Sequence, residues 1–115
     1  MNELLKRSFI NSNELETLLK EREENKADFI LVDVREQIEY DMSHIKGIDI
    51  LQPSSSFHSW SETFFNENRD KTVILTCRTD YRSGNIQKAL QQNGMERVIN
   101  HSGGIASYRG EIVRS

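Results

Sequence analysis

The chain alternates between short, almost wholly apolar runs and longer segments whose apolar residues recur every three or four positions. "DFILVDV" (28–34) and "KTVILTC" (71–77) are runs of the first kind, rich in β-formers and without apolar–polar alternation. A strand buried on both faces reads this way, and such strands are usually parallel. "IDIL" (48–51) and "RVIN" (97–100) are shorter strand candidates. In "NSNELETLLKERE" (11–23), Leu15, Leu18 and Leu19 form one helical stripe. Asn11 or Ser12 stands at the N-cap, and Glu14 lies three after Asn11 as in a capping box. Phe57, Trp60 and Phe64 predict a helix over 56–67 with its aromatic face packed inward. Ile86, Ala89 and Leu90 predict another over about 83–92, ended by Gly94. "PSSSFHS" (53–59) is the most loop-like stretch. Strands alternating with helices imply an α/β domain with a mainly parallel sheet and helices on both sides. Ligands of such sheets bind beyond the carboxyl ends of the strands. "DVRE" (33–36) and "CRTDYRS" (77–83) both fall there.

The length of 115 residues and the lack of an interdomain linker make one domain over residues 1–115 the expectation. Fifteen basic against eighteen acidic residues, a net charge of −3, argue against general nucleic-acid binding. The N-terminus "MNELLKRSFINSNELE" has no long apolar core and no cleavage signature, and no apolar run approaches membrane-spanning length. A cytoplasmic protein without membrane contact is the expectation. The single cysteine cannot form an internal disulfide, which fits a reducing compartment. His44, His58 and His101 are scattered, and none sits at ligand spacing with Cys77, so no metal site is expected. No cofactor is expected.

Lone cysteines are most often buried and inert. The neighbours of Cys77 change that reading. Cys77 is expected to end a strand, with a helix beginning about six residues later. The intervening loop can form a nest of inward N–H groups. The helix adds its positive N-terminal end. Arg78 and Arg82 add full charges. All three favour the reactive thiolate and an anionic substrate. Ser83 could donate a further hydrogen bond or serve equally as the helix N-cap. Asp80 opposes the thiolate and is expected to point outward; if Arg78 or Arg82 pairs with it, the loop keeps a net charge of about +1. Tyr81 is expected at the rim, and Thr79 completes the loop.

These residues resemble the rhodanese family in its single-domain form, over nearly the whole chain from about Phe9 to Tyr108. "LVDVREQIEYDMSHIKGIDIL" (31–51) is similar to the family stretch from an aspartate-valine-arginine motif, through a glutamate-aromatic pair, to a histidine-isoleucine-x-glycine turn. "CRTDYRS" resembles its six-residue active-site loop, Cys77 first and Arg82 last, and "VINHSGGIASY" (98–108) its closing strand and double-glycine turn. The resemblance implies a rhodanese-like fold with a central, mainly parallel, five-stranded sheet. It also implies a sulfurtransferase in which Cys77 takes sulfur from thiosulfate or a persulfide. The sulfur is held as a persulfide and passed to cyanide, a small thiol or an acceptor protein. Arg82, and secondarily Arg78, would orient an anionic donor. Asp33 and Arg35 match the motif and are expected to scaffold the site. His44 is expected to be a hydrogen-bonded structural histidine, because a thiolate in such a cradle needs no separate base. Gly47, Gly103 and Gly104 are expected in turns. A monomer or weak dimer is expected.

The chain departs from the family where glycine is common and Asp80 stands, which puts donor preference in question. Ser43 also stands at a common glycine position and Tyr108 at a common tryptophan position. Two other readings compete. One is a non-catalytic binding or sensing module. The other is a cysteine phosphatase or arsenate reductase of the same fold. Those phosphatases place five residues between cysteine and arginine, whereas four stand here, a ring better matched to a sulfur atom.

Overall fold

The computed structural model describes residues 3–114. Five short strands form the main sheet: β1 (Phe9–Ile10), β2 (Ile30–Asp33), β4 (Ile50–Leu51), β5 (Val73–Thr76) and β6 (Val98–His101). Their spatial order is β1-β6-β5-β2-β4, and every pairing is parallel. A separate antiparallel pair joins β3 (His44–Ile45) to β7 (Ile112–Val113). The helices are α1 (Ser12–Glu23), α2 (Gln37–Met42), α3 (Phe57–Asn68), α4 (Tyr81–Gln92) and α5 (Gly104–Ser107). The expected architecture, a parallel five-stranded sheet with helices around it, is the one observed.

The sheet is buried on both faces, which is why its strands lack alternation. Val73 and Leu75 of β5, and Cys77 just beyond it, pack with Trp60 and Phe64 of α3 and Ile86 and Leu90 of α4. Ile74 points the other way, into the cluster of Leu15 and Leu18 of α1 with Ile99 and Tyr108. This alternation sends Cys77 to the α3/α4 side of the sheet and Thr76 to the α1/α5 side. The aromatic face of α3 packs inward as expected, with Trp60 edge-on to Phe57 at 5.0 Å and to Phe64 at 5.6 Å.

Local rules account for the helix ends. Asn11 is the N-cap of α1: its side chain accepts from Glu14 N at 2.8 Å and the Glu14 carboxylate accepts from Asn11 N at 2.9 Å. At the end of α4, Gly94 N donates to Gln91 O and Met95 N to Leu90 O, with Gly94 at φ +101°. That is a Schellman ending, and the buried Met95 joins Leu90 in the core. Two expectations are corrected. α4 begins at Tyr81 rather than about residue 83, so the last two loop residues lie in its first turn. The 53–59 stretch is less loop than its composition suggests, since a 3₁₀ turn over Ser54–Ser56 leads directly into α3. The short strands β1, β3 and β7 have too few residues to carry a periodic signal.

One close approach ties the fold to the Cys77 loop. The strand ladder of β5 stops at Thr76, and α5 takes over. Ile105 N donates to Cys77 O at 2.9 Å and Ala106 N to Arg78 O at 3.0 Å. Gly104, at φ +59°, permits the contact, because a Cβ there would lie 2.5 Å from the Cys77 oxygen and from the Arg78 carbonyl. Gly104→Ala is therefore expected to cost about 2–4 kcal/mol in urea unfolding, from overpacking and a left-handed backbone together.

Candidate active site

The parallel register aligns the ends of the central strands. Asp33 lies beside Thr76, and Leu75 beside Asn100, so β2, β5 and β6 deliver their next residues to one edge. Cys77 follows β5 there and is 1 % exposed. Its Sγ accepts from Ser83 N at 3.4 Å and lies 3.2 Å from Ser83 Oγ. Ser83 is the third residue of α4, so its N–H is one of those left without a partner inside the helix. The sulfur thus faces the positive end of a twelve-residue helix. The two readings of Ser83 are thereby separated. Asp80 holds the N-cap position, and Ser83 is a buried neighbour of the sulfur.

The rest of the loop is oriented from outside. The carbonyls of Cys77 and Arg78 point at α5. Across a planar trans peptide the following N–H points the opposite way, so those of Arg78 and Thr79 face away from α5. Asp80 is exposed, as expected, yet its carboxylate is engaged: Oδ1 accepts from Gly103 N at 2.7 Å. Thr79 and Tyr81 are exposed, with Tyr81 77 % accessible.

Among the described residues neither arginine forms an ion pair with Asp80. Arg82 makes a two-bond fork with Glu39 of α2, Nη1 to Oε1 at 2.7 Å and Nη2 to Oε2 at 2.9 Å. The Arg82 guanidinium, and then the Glu36 N–H that bonds the same carboxylate, hold the Glu39 carboxyl down to about 2. Counting Glu39, the formal charges around the loop cancel instead of leaving +1. Arg78 is exposed and, among the described residues, forms no ion pair within 4 Å.

Asp33 and Arg35 lie behind the loop and are buried. Arg35 Nε and Nη2 donate to the Asp33 carboxylate at 3.1 and 2.9 Å, and Nη2 also donates to Ser43 O at 2.7 Å. His44 stacks on Tyr40 with ring centroids 3.7 Å apart, its Nδ1 3.0 Å from Tyr40 O. Neither the ion pair nor His44 makes a hydrogen bond to Cys77. Gly47 and Gly103 sit at φ +109° and +87° in turns. Among the described residues no group of three histidine, cysteine, aspartate or glutamate side chains is placed to hold a metal ion, and no helix is long and apolar enough to cross a membrane.

Three residues of this region escape sequence reasoning as site residues. Glu39 is visible only as part of a motif, and its role emerges from the Arg82 fork. Asn100 of β6 contacts Ser83 Oγ through Oδ1 at 2.5 Å on the sulfur's side of the sheet. His101, next to it, is fully buried on the opposite side, with Nδ1 2.8 Å from Thr76 Oγ1 and Nε2 2.8 Å from Ser12 Oγ. A histidine closing the short strand candidate in "RVINH" was the available signal.

The family model described as "Rhodanese-like domain" matches residues 14–111. Over 82 residues the chain is 30 % identical to the "Probable adenylyltransferase/sulfurtransferase MoeZ" of Mycobacterium tuberculosis, covering 71 % of this chain and 20 % of that protein. It is 29 % identical over 93 residues to a "tRNA uridine(34) hydroxylase" of Synechococcus, covering 74 % of this chain and 30 % of that one. The chain therefore spans less than a third of the length of either relative. The crystal structure of a rhodanese-related protein from Thermoplasma volcanium superposes with a TM-score of 0.77 at 24 % identity, over 95 % of this chain and all of that one, which shows a common fold.

Burial pushes the His101 imidazole down to about 4, and the Asp80 carboxylate only partly opposes it. The imidazole of an unfolded chain titrates near 6.5, so between these values the unfolded state binds more protons and stability falls as pH drops. Urea unfolding is expected to show about 2 kcal/mol less stability at pH 4.5 than at pH 7 from this group, a difference that His101→Asn diminishes. Glu39 acts in a lower window, its contribution present above about 4.5 and lost as pH falls toward 2.

Proposed function

The chain belongs to the rhodanese-like domain family, and from that premise we propose that it is a sulfurtransferase working through a Cys77 persulfide. The observation that carries this reading is the cradle around one sulfur: Ser83 N and Oγ lie within 3.4 Å of Cys77 Sγ, and four residues stand between Cys77 and Arg82.

In the first step the Cys77 thiolate attacks the outer sulfur of thiosulfate. The new S–S bond forms as the donor's S–S bond breaks, and the leaving electron pair departs on sulfite. In the second step cyanide or a thiolate attacks the outer sulfur of the Cys77 persulfide and leaves with it, restoring the Cys77 thiolate. Charge is conserved in both steps. A persulfide donor follows the same course, with a thiolate as the leaving group. Ser83 and the N-terminal end of α4 stabilise negative charge as it moves between the two sulfurs. Near-complete burial of Cys77 limits the access of water to the persulfide. Cys77 is the one cysteine of these 115 residues, and the proposed acceptor is a small thiophile or an acceptor protein.

The geometry redistributes the two arginines. Arg82 is committed to Glu39 and ties α2 to α4. Arg78, exposed and without an ion pair among the described residues, meets the sulfonate end of thiosulfate. The Asp80 carboxylate is held by Gly103 N, which lessens its repulsion of the donor.

Intact-mass measurement after incubation with thiosulfate or glutathione persulfide is expected to show a gain of about 32 Da, absent in Cys77→Ser. No gain from either donor, with turnover of an aryl phosphate instead, overturns the reading. Arg78→Ala is expected to raise KM for thiosulfate about three- to tenfold, with a smaller change for a less charged persulfide. Equal effects on both donors would contradict the charge assignment.

A further inference from the structure

His101 has no exposed surface, and neither step of sulfur transfer uses it. Its ring is one link in a longer chain. Beyond Ser12, Oγ lies 2.6 Å from Ser107 Oγ, and Ser107 donates to Gly104 O at 3.1 Å. A neutral imidazole donates once and accepts once, and each hydroxyl donates once. Because Ser107 donates to Gly104 O, it accepts from Ser12. Ser12 then accepts from the Nε2–H of His101, and Nδ1 accepts from Thr76. Every donor is used and the direction is set throughout. The opposite direction takes the Ser107 hydroxyl away from Gly104 O and leaves Thr76 only a 3.5 Å contact to Cys77 O.

The two ends of this chain meet at the same place. Thr76 ends β5 and immediately precedes Cys77. Gly104 opens α5, whose next two N–H groups hold the Cys77 and Arg78 carbonyls. The bonds therefore close a ring behind the cradle, on the face of the sheet opposite the sulfur.

We propose that His101 is a positioning residue for Cys77, fixing α5 against the end of β5 and so setting the peptide planes that line the sulfur. It touches neither Cys77 nor a donor. With the ring intact, α5 cannot slide along the loop, and the N–H groups of Arg78 and Thr79 keep their direction. With the ring cut, α5 retains its two bonds to the loop but loses its anchor, and the donors around the sulfur drift.

Three variants of the full chain separate positioning from mere support. In His101→Gln the amide can donate to Ser12 as Nε2–H does. In His101→Asn the shorter amide accepts from Thr76 but does not reach Ser12. Ser107→Ala cuts the chain at an exposed residue and leaves the core untouched. The readouts are the rate of Cys77 alkylation by iodoacetamide at pH 7.5, and kcat and KM with thiosulfate. Only the kinetic readout rests on the sulfurtransferase reading. A wild-type protein that is alkylated but transfers no sulfur refutes that reading, and alkylation then decides this proposal by itself. Ser107→Ala and His101→Asn are expected to slow alkylation and lower kcat by about three- to tenfold at nearly constant KM, with His101→Gln recovering most of the loss. Wild-type alkylation rates in Ser107→Ala, or equal losses in the glutamine and asparagine variants, overturn the proposal.

Discussion

Where β5 ends, two carbonyls need partners, and the way they find them organises the site. A strand that stops at Thr76 leaves the Cys77 and Arg78 oxygens without a ladder at a buried edge. α5 supplies both donors, and Gly104 is the residue that lets its backbone come close enough. Satisfying the carbonyls on one side turns the following N–H groups to the other. The cradle is thus built from outside: backbone bonds behind it dictate the donors within it. The Asp80 bond to Gly103 N adds a tie between the loop and the same turn.

Full charges contribute less to this site than the arginine-rich loop suggests. Arg82 shares its charge with Glu39, Arg78 is exposed without an ion pair among the described residues, and the groups that touch the sulfur are the Ser83 N–H and hydroxyl in the first turn of α4. Fixed dipoles need no reorganisation as charge moves from one sulfur to the next, and a site lined this way suits a group that carries charge throughout its cycle. The Arg82–Glu39 fork and the Asp33–Arg35 pair serve another purpose. Each joins segments that the sheet alone would leave independent, α2 to α4 in one case, and the end of β2 to the Ser43 carbonyl in the other.

Legibility in the sequence followed the range of the interaction. Buried strands showed as unbroken apolar runs, because both faces of a parallel sheet are covered. The helices 11–23, 56–67 and 83–92 showed as periodic stripes, and each boundary lay within two residues of the one observed. The misplaced start of α4 has a local cause. Asp80 and Ser83 are both residue types that favour an N-cap, and nothing local says that Asp80 takes the position while its side chain turns to Gly103. The partner of Arg82 was not legible for the opposite reason. Asp80 is near in sequence, whereas Glu39 is forty-three positions away and meets Arg82 only because α2 and α4 converge.

The sequence by itself determined the α/β order, the two buried strands, the family and the position of the one cysteine in its loop. Each of these is written in nearest-neighbour pattern or in contiguous motif. Tertiary structure decided what the polar residues do. It sent Thr76 and His101 to one face of the sheet and Cys77 with Asn100 to the other, and it gave Arg82 to Glu39 and Asp80 to Gly103. Hydrogen bonds are made within about 3 Å between groups whose separation along the chain is arbitrary. Only the packed sheet brings such groups together, and so only the packed sheet can say which of them meet.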